Sequence, residues 1–249
     1  MRQPIAFLCD FDGTIGIQDT GELILTKLVF PRIAPDILTA INAQAAGSKE
    51  LYSAWYSEAP PTSQEFEQLV SQAEIDPKFA VLCAETRNKQ DAVAIVSDGF
   101  DAYIQRILGG ENIKGIPVYS NRMDFNSKLT LSFPHYNPDC RFCGVCKAAV
   151  AKHYLRQGFY IVYIGDGVSD RFPVHVAHKV FAKDALVGIC RQEGVKYTEF
   201  DSFQDILDWY KRGVLEQDKV QDLHTKCKSL VESDLGFLDR NLARSFFNI

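Results

Sequence analysis

Short apolar runs punctuate the chain, and polar or acidic residues close each of them. Four runs read as buried strands: IAFLC at 5–9, AVAIV at 92–96, YIVYIG at 160–165 and the shorter KVFA at 179–182. Each is rich in β-branched or aromatic residues and is bounded by turn residues. Between them the apolar spacing becomes helical, as in VCKAAVAKHYLRQ at 145–157 and DALVGICRQEG at 184–194. Strands alternating with helices predict an α/β fold, a doubly wound parallel sheet with helices on both faces.

Residues 15–89 break that rhythm. They hold little strand signal and several helical candidates, among them DTGELILTKLVF, APDILTAINAQAA and SQEFEQLVSQA. The pair Pro60-Pro61, followed by Thr62 or Ser63 as cap and Glu65 in the first turn, marks a helix start. A crossover of this length needs its own packing. It predicts an all-helical cap at 15–89, inserted into a Rossmann-like core formed by 1–14 and 90–212. The text at 116–133 (IPVYSNRMDFNSKLTLSF) turns strand-like around polar residues and predicts a small β-hairpin. Residues 213–249 read as a helical extension. Its Phe237, Leu238, Leu242, Phe246 and Phe247 would cover either the core or a neighbouring subunit.

Composition narrows the partners. With 249 residues, 46% hydrophobic and 24% charged, the chain has the balance of a globular protein and room for one α/β domain plus an insertion. A net charge of −5, from 27 basic and 32 acidic residues, gives no electrostatic case for nucleic acid. No apolar run is long enough for a membrane span or a secretory h-region. Seven cysteines, an odd count without a dense disulfide framework, point to a reduced, cytoplasmic protein. Both a monomer and a homodimer are compatible with this pattern.

Ligands of doubly wound sheets bind outside the carboxyl ends of the strands, so the residues closing each run matter most. They are Asp10-Phe11-Asp12-Gly13-Thr14, then Ser97-Asp98-Gly99, then Gly165-Asp166-Gly167-Val168-Ser169-Asp170. One Asp-Gly is ordinary turn chemistry. Three acidic ends in succession would crowd at least four carboxylates into one crevice, where they repel unless a cation sits among them. Magnesium suits such a set of oxygen ligands beside a substrate phosphate. Lys147, opening the helix before the third strand, would add a fixed cation able to hold a phosphate oxygen near a carboxylate.

In order and strand context these residues resemble the four motifs of the haloacid dehalogenase-like (HAD) phosphatase superfamily. The resemblance implies a magnesium-dependent hydrolase of phosphate esters. In it Asp10 is the nucleophile and Asp12 the general acid and base. Ser97, with the backbone that follows it at Asp98 and Gly99, holds the phosphate, and Lys147 neutralises it. Asp10, Asp166, Asp170 and the backbone carbonyl of Asp12 surround the Mg²⁺. A helical insertion behind the first motif resembles the cap of the phosphoserine phosphatase subgroup, which implies a small phosphorylated metabolite as substrate. Asp19 matches a substrate-contacting acid of that subgroup, and equally reads as the N-cap of the helix at TGELILTKL. The cysteine-rich CRFCGVCK before the lysine resembles the methionine-salvage phosphatases that act on 2-hydroxy-3-keto-5-methylthiopentenyl-1-phosphate. A comparable cluster occurs in phosphoethanolamine/phosphocholine phosphatases. Asp98 departs from the pattern, standing where many relatives have a small residue.

Cys140, Cys143 and Cys146 admit two readings: three thiolate ligands of zinc, completed by His135 or Asp139, or reduced structural cysteines beside the site. A receiver-like signalling module is the contrasting class of protein. It carries its phosphoacceptor on a middle strand and needs far less chain, so an Asp-x-Asp on the first strand argues against it.

Overall fold

The computed structural model describes residues 2–45 and 47–213. Seven strands form one sheet in the order β4-β3-β2-β1-β5-β6-β7. They are β1 (Ile5–Cys9), β2 (Ala92–Phe100), β3 (Val118–Asp124), β4 (Thr130–Ser132), β5 (Tyr160–Gly165), β6 (Lys179–Ala182) and β7 (Thr198–Glu199). All neighbours run parallel except β4, which turns back antiparallel on β3 as the predicted hairpin. The four predicted strands are β1, the first part of β2, β5 and β6.

Nine helices are described. They are α1 (Thr20–Ile24), α2 (Pro35–Gln44), α3 (Ser48–Glu58), α4 (Ser63–Val70), α5 (Pro77–Arg87), α6 (Asp101–Gly110), α7 (Lys147–Arg156), α8 (Asp184–Glu193) and α9 (Phe203–Arg212). Short helical turns at Leu25–Val29 and Phe30–Arg32 continue α1.

Strand alternation sorts the central residues onto two faces. Ile5, Phe7 and Cys9 of β1 join the apolar cluster that holds Phe203, Ile206, Leu207 and Tyr210 of α9, with Tyr103 and Ile104 of α6. Ala6 and Leu8 face the opposite cluster, built with Val150 and Ala151 of α7 and Leu186 and Ile189 of α8. Phe7 meets Tyr210 edge-on at 5.2 Å between ring centroids. The result is helix–sheet–helix, with β1 buried on both faces as a central parallel strand requires.

The insertion is helical, as its pattern predicts. Thr62 caps α4 and Glu65 reaches back to it, a full capping box after the proline pair. The chain leaves and rejoins the core through one narrow neck, where Gly16 pairs antiparallel with Ile75 and Asp76 N–H donates to the Ile15 carbonyl at 2.9 Å. Beyond the neck, α5 lies against the core: Phe79 stacks edge-on with Phe203, and the Asp76 carboxylate accepts from Phe203 N–H at 2.7 Å. Helices α1 to α4 therefore overhang the carboxyl end of the sheet, while α5 packs on its flank.

Two features go beyond the pattern. Strand β2 continues through Ser97-Asp98-Gly99 to Phe100, with its register against β3 shifting between Val96 and Phe100. Strand β7 is a two-residue edge strand, too short to leave a periodic signal. The extension expected for 213–249 lies outside the described residues from position 214 onward. Among the described residues, no helix is long and apolar enough to cross a membrane.

Candidate active site

At the end of β1 the backbone places two carboxylates in different surroundings. Asp10 N–H still pairs with the Ile164 carbonyl of β5, and its side chain accepts from Phe11 N–H at 2.7 Å. Asp12 (φ −68°, ψ 130°) and Gly13 (φ 68°, ψ −8°) then form the two central positions of a type II turn. Gly13 is required twice over. Its φ is left-handed, and a Cβ there would stand 2.5 Å from Asp166 Oδ2. Phe11, fully buried, anchors the turn in the core.

Lys147 is the hub on the Asp10 side. Only 2% exposed, its ammonium lies 2.7 Å from Asp10 Oδ2, 2.7 Å from Asp170 Oδ1 and 2.8 Å from Ser169 Oγ. Asp170 is fully buried and accepts from Tyr163 O–H at 2.6 Å and from Asp166 and Gly167 N–H, both at 3.1 Å. Asp166 accepts from Thr14 O–H at 2.5 Å. Asp10 and Asp170 thus share one ammonium with Asp166 close by, and negative charge is in excess. Burial and the neighbouring Asp170 push Asp10 well above the carboxylate range, against the pull of Lys147. Burial and Asp170 push Asp166 up to about 7. Lys147 is also raised: burial works against its charge, and Asp10 and Asp170 outweigh it.

Oxygens of Asp10, Asp166 and Asp170 lie within 4.8 Å of one another, and no other trio of potential ligands does so among the described residues. Surplus charge and an all-oxygen donor set fit a hard divalent cation.

Asp12 turns toward the cap. Its Oδ1 accepts from the N–H groups of Thr20 (3.0 Å) and Gly21 (3.2 Å) at the start of α1, and Tyr103 O–H of α6 donates to Oδ2. Burial first, and the charge of Asp19 second, lift its carboxyl to about 8. On the bulged end of β2, Ser97 is buried and its Oγ accepts from Gly99 N–H at 2.9 Å. Gly99 leaves no room for a side chain, since a Cβ would fall 1.7 Å from Tyr103 O–H and 2.7 Å from Asp12 Oδ2. Asp10, Asp12, Ser97, Asp98, Gly99 and Asp166 all line one cavity of about 350 Å³ beneath the cap.

The family model of haloacid dehalogenase-like hydrolases matches residues 7–171, a span that holds every acidic residue of the cluster. The chain belongs to that family. A relative from Exiguobacterium sibiricum, named 2-hydroxy-3-keto-5-methylthiopentenyl-1-phosphate phosphatase, is 31% identical over 82% of this chain and 95% of its own length. A protein of the same name from Bacillus cereus is 29% identical over 81% of this chain and 94% of its own. Among solved structures, a phosphoserine phosphatase captured as a phospho-aspartyl intermediate analogue superposes with a TM-score of 0.62 at 17% identity. It covers 84% of this chain and 99% of its own, a likeness of fold.

In this HAD hydrolase the remaining sequence candidates divide. Asp19 lines the cavity, and its carboxylate caps α1 by accepting from Glu22 N–H at 2.7 Å. Asp98 also lines the cavity but stands apart from the Asp10–Lys147–Asp170 group: its Oδ1 accepts from Val145 N–H at 2.8 Å. Cys140, Cys143 and Cys146 border a second, small cavity of about 20 Å³ behind Lys147. Neither with one another nor with His135 or Asp139 do they form a trio whose ligand atoms lie within 4.8 Å.

Sequence reasoning missed Tyr103, Tyr52 and Ser48. Tyr103 lies in the first turn of α6, four residues beyond Gly99, and meets Asp12 because α6 follows β2 directly. Tyr52 and Ser48 reach the cavity from the cap. Nothing in the periodicity of α3 separates cavity-facing from core-facing positions.

Proposed function

We propose that the chain hydrolyses the phosphate monoester of a small metabolite through a phosphorylated aspartate. The observation that carries this reading is the pairing of Asp10, held on Lys147, with Asp12, held apart from that charge network on the cap side of one cavity. In the first step an Asp10 oxygen attacks phosphorus and the ester P–O bond breaks, while Asp12 delivers a proton to the departing oxygen. In the second, Asp12 takes a proton from water, whose oxygen bonds to phosphorus as the Asp10–phosphate bond breaks, releasing inorganic phosphate. Ser97 and the N–H groups after it orient the phosphate, and Lys147 offsets its charge in a water-poor site.

Asp10, Asp166 and Asp170, with the carbonyl of Asp12, would hold Mg²⁺. When bound, that ion supplies the positive charge that brings two anions together. Residues Gly16 to Ile75 would act as the cap, restricting access and excluding water.

For the substrate, similarity to the methylthiopentenyl phosphatases near 30% identity supports 2-hydroxy-3-keto-5-methylthiopentenyl-1-phosphate. Tyr52, Phe142 and Cys143 are among the residues that line the cavity and offer soft surface of the kind a thioether packs against.

The test is a panel of phosphorylated metabolites that includes both compounds, assayed with and without Mg²⁺. The expected result is Mg²⁺-dependent phosphate release, fastest on the methylthio ester and lost in Asp10→Asn. Metal-independent turnover, or full activity in Asp10→Asn, contradicts the mechanism. A preference for phosphoserine contradicts the substrate.

A further inference from the structure

Asp98 is the acidic residue that the phosphate chemistry leaves unexplained. It follows Ser97 directly, yet an additional carboxylate aimed at a phosphate would repel it. The structure shows where that carboxylate goes. It accepts from Val145 N–H, two residues before Lys147, and from the side chain of Ser48 in the cap. The Asp98 carbonyl, in turn, accepts from Asn121 Nδ2 at 2.5 Å, which fixes the bulge of β2 against β3.

Ser48 is the first residue of α3 and belongs to a three-residue landing of the cap on the core. Its N–H donates to the Phe142 carbonyl at 3.1 Å. Gly47 lies so close to the segment before Lys147 that a Cβ would fall 2.3 Å from the Phe142 carbonyl oxygen and 2.4 Å from that of Arg141. Lys49 places its ammonium 4.1 Å from the centre of the Tyr136 ring. One turn further along α3, Tyr52 lines the cavity and packs edge-on against Phe100 of β2 at 5.2 Å. Gly47 to Lys49 therefore set the angle at which α3 roofs the site, and the Asp98 carboxylate is the core's half of that contact.

We propose that the Ser48–Asp98 hydrogen bond latches the cap onto the core, and that Asp98 is a positioning residue for cap closure, not a phosphate ligand. A single carboxylate ties together the cap helix, the cysteine-bearing loop and the strand end that carries Ser97. The role explains the departure from the family pattern: the acid serves the cap's footing, and its charge is absorbed by two donors before it can face an anion. The kinetic consequence rests on the phosphatase reading, whereas the structural one does not. Where only a fraction of molecules holds the closed form, the apparent affinity falls by that fraction.

The test uses the full chain and the variants Ser48→Ala, Ser48→Thr, Asp98→Ala and the Ser48→Ala/Asp98→Ala pair, with two readouts. The first is amide hydrogen exchange of α3 without substrate. Loss of a charge-assisted hydrogen bond shifts the opening equilibrium about tenfold, so Ser48→Ala should speed exchange in α3 by about that factor. Ser48→Thr, which keeps the hydroxyl, should restore the parent rate. The double variant should exchange in α3 no faster than Asp98→Ala alone. The second readout is steady-state hydrolysis of an aryl phosphate, where Ser48→Ala should raise KM in step with the lost closed fraction, by at most about tenfold, with kcat within about twofold. Unchanged α3 exchange in Ser48→Ala overturns the latch, as do independent, multiplying effects in the double variant. So does a loss of kcat at unchanged KM. If Asp98→Ala fails to fold, the two Ser48 variants decide alone, because they leave the core side intact. Faster α3 exchange with no aryl phosphate hydrolysis even in the parent would sink the phosphatase reading and leave the latch standing.

Discussion

At the scale of single residues, Lys147 carries the largest electrostatic burden. It is buried between Asp10 and Asp170, and neither carboxylate has another cationic side chain in contact among the described residues. Replacing it by Met keeps most of the volume and leaves two buried acids without their cation, a change that costs about 3–5 kcal/mol in comparable pairs. Urea unfolding of Lys147→Met in metal-free buffer should show that loss, and added Mg²⁺ should recover part of it by supplying charge to the same carboxylates. A stability unchanged from the parent would show that the pair is not the charge anchor described here. The acidic residues themselves are legible in the sequence, because Asp is unfavourable at the end of an apolar strand without a reason. Tyr103 is not legible, since a tyrosine in an amphipathic helix reads as core, and its O–H finds Asp12 only through the packing of α6. Asp98 was readable as an anomaly, and its meaning depends on Ser48, about fifty positions away in the chain.

Secondary-structure elements divide in the same way. The four runs that give β1, β5, β6 and most of β2 are apolar on both faces and therefore stand out. Helix α5 belongs to the helical run of the insertion by its pattern, yet Phe79 and Asp76 bind it to α9 of the core. Periodicity reports that a helix has a buried face and says nothing about which partner buries it. The β5–β6 crossover has its own testable device. His178 Nδ1 accepts from Ile161 N–H at 2.9 Å, and its ring stacks on Tyr160 at 4.5 Å. Accepting at Nδ1 requires the neutral ring, and burial lowers the His178 pKa below 6.5. The folded state thus binds the proton less readily than the unfolded one. This contribution to stability is full above pH 6.5 and is lost as pH falls from there through the folded-state value. His178→Asn keeps an acceptor and cannot titrate. Melting temperatures measured from pH 7 to pH 5 should therefore fall less steeply for His178→Asn than for the parent. Parallel slopes would contradict the assignment.

Over the whole molecule, the sheet brings three strand ends to one edge, and the neck at Gly16 and Ile75 hangs α1 to α4 above them. That arrangement sets an acidic cavity beneath a helical insertion in a chain whose net charge is −5. The excess of negative charge is concentrated where Asp10, Asp166 and Asp170 converge, the place that calls for a divalent cation and an anionic substrate together. Family and core fold were readable from motif order. The cavity's apolar wall was not, because Tyr52 and Phe142 come from the cap and from the cysteine loop, and only their meeting creates a surface. The central claim is that Asp10 becomes phosphorylated during turnover. Rapid mixing of the enzyme and Mg²⁺ with a radiolabelled phosphate ester, quenched in acid within the first turnover and followed by peptide mapping, tests it most directly. The account predicts acid-stable, alkali-labile label on the peptide that carries Asp10, and none in Asp10→Asn. Label appearing only as free phosphate, or on a peptide without Asp10, would contradict it.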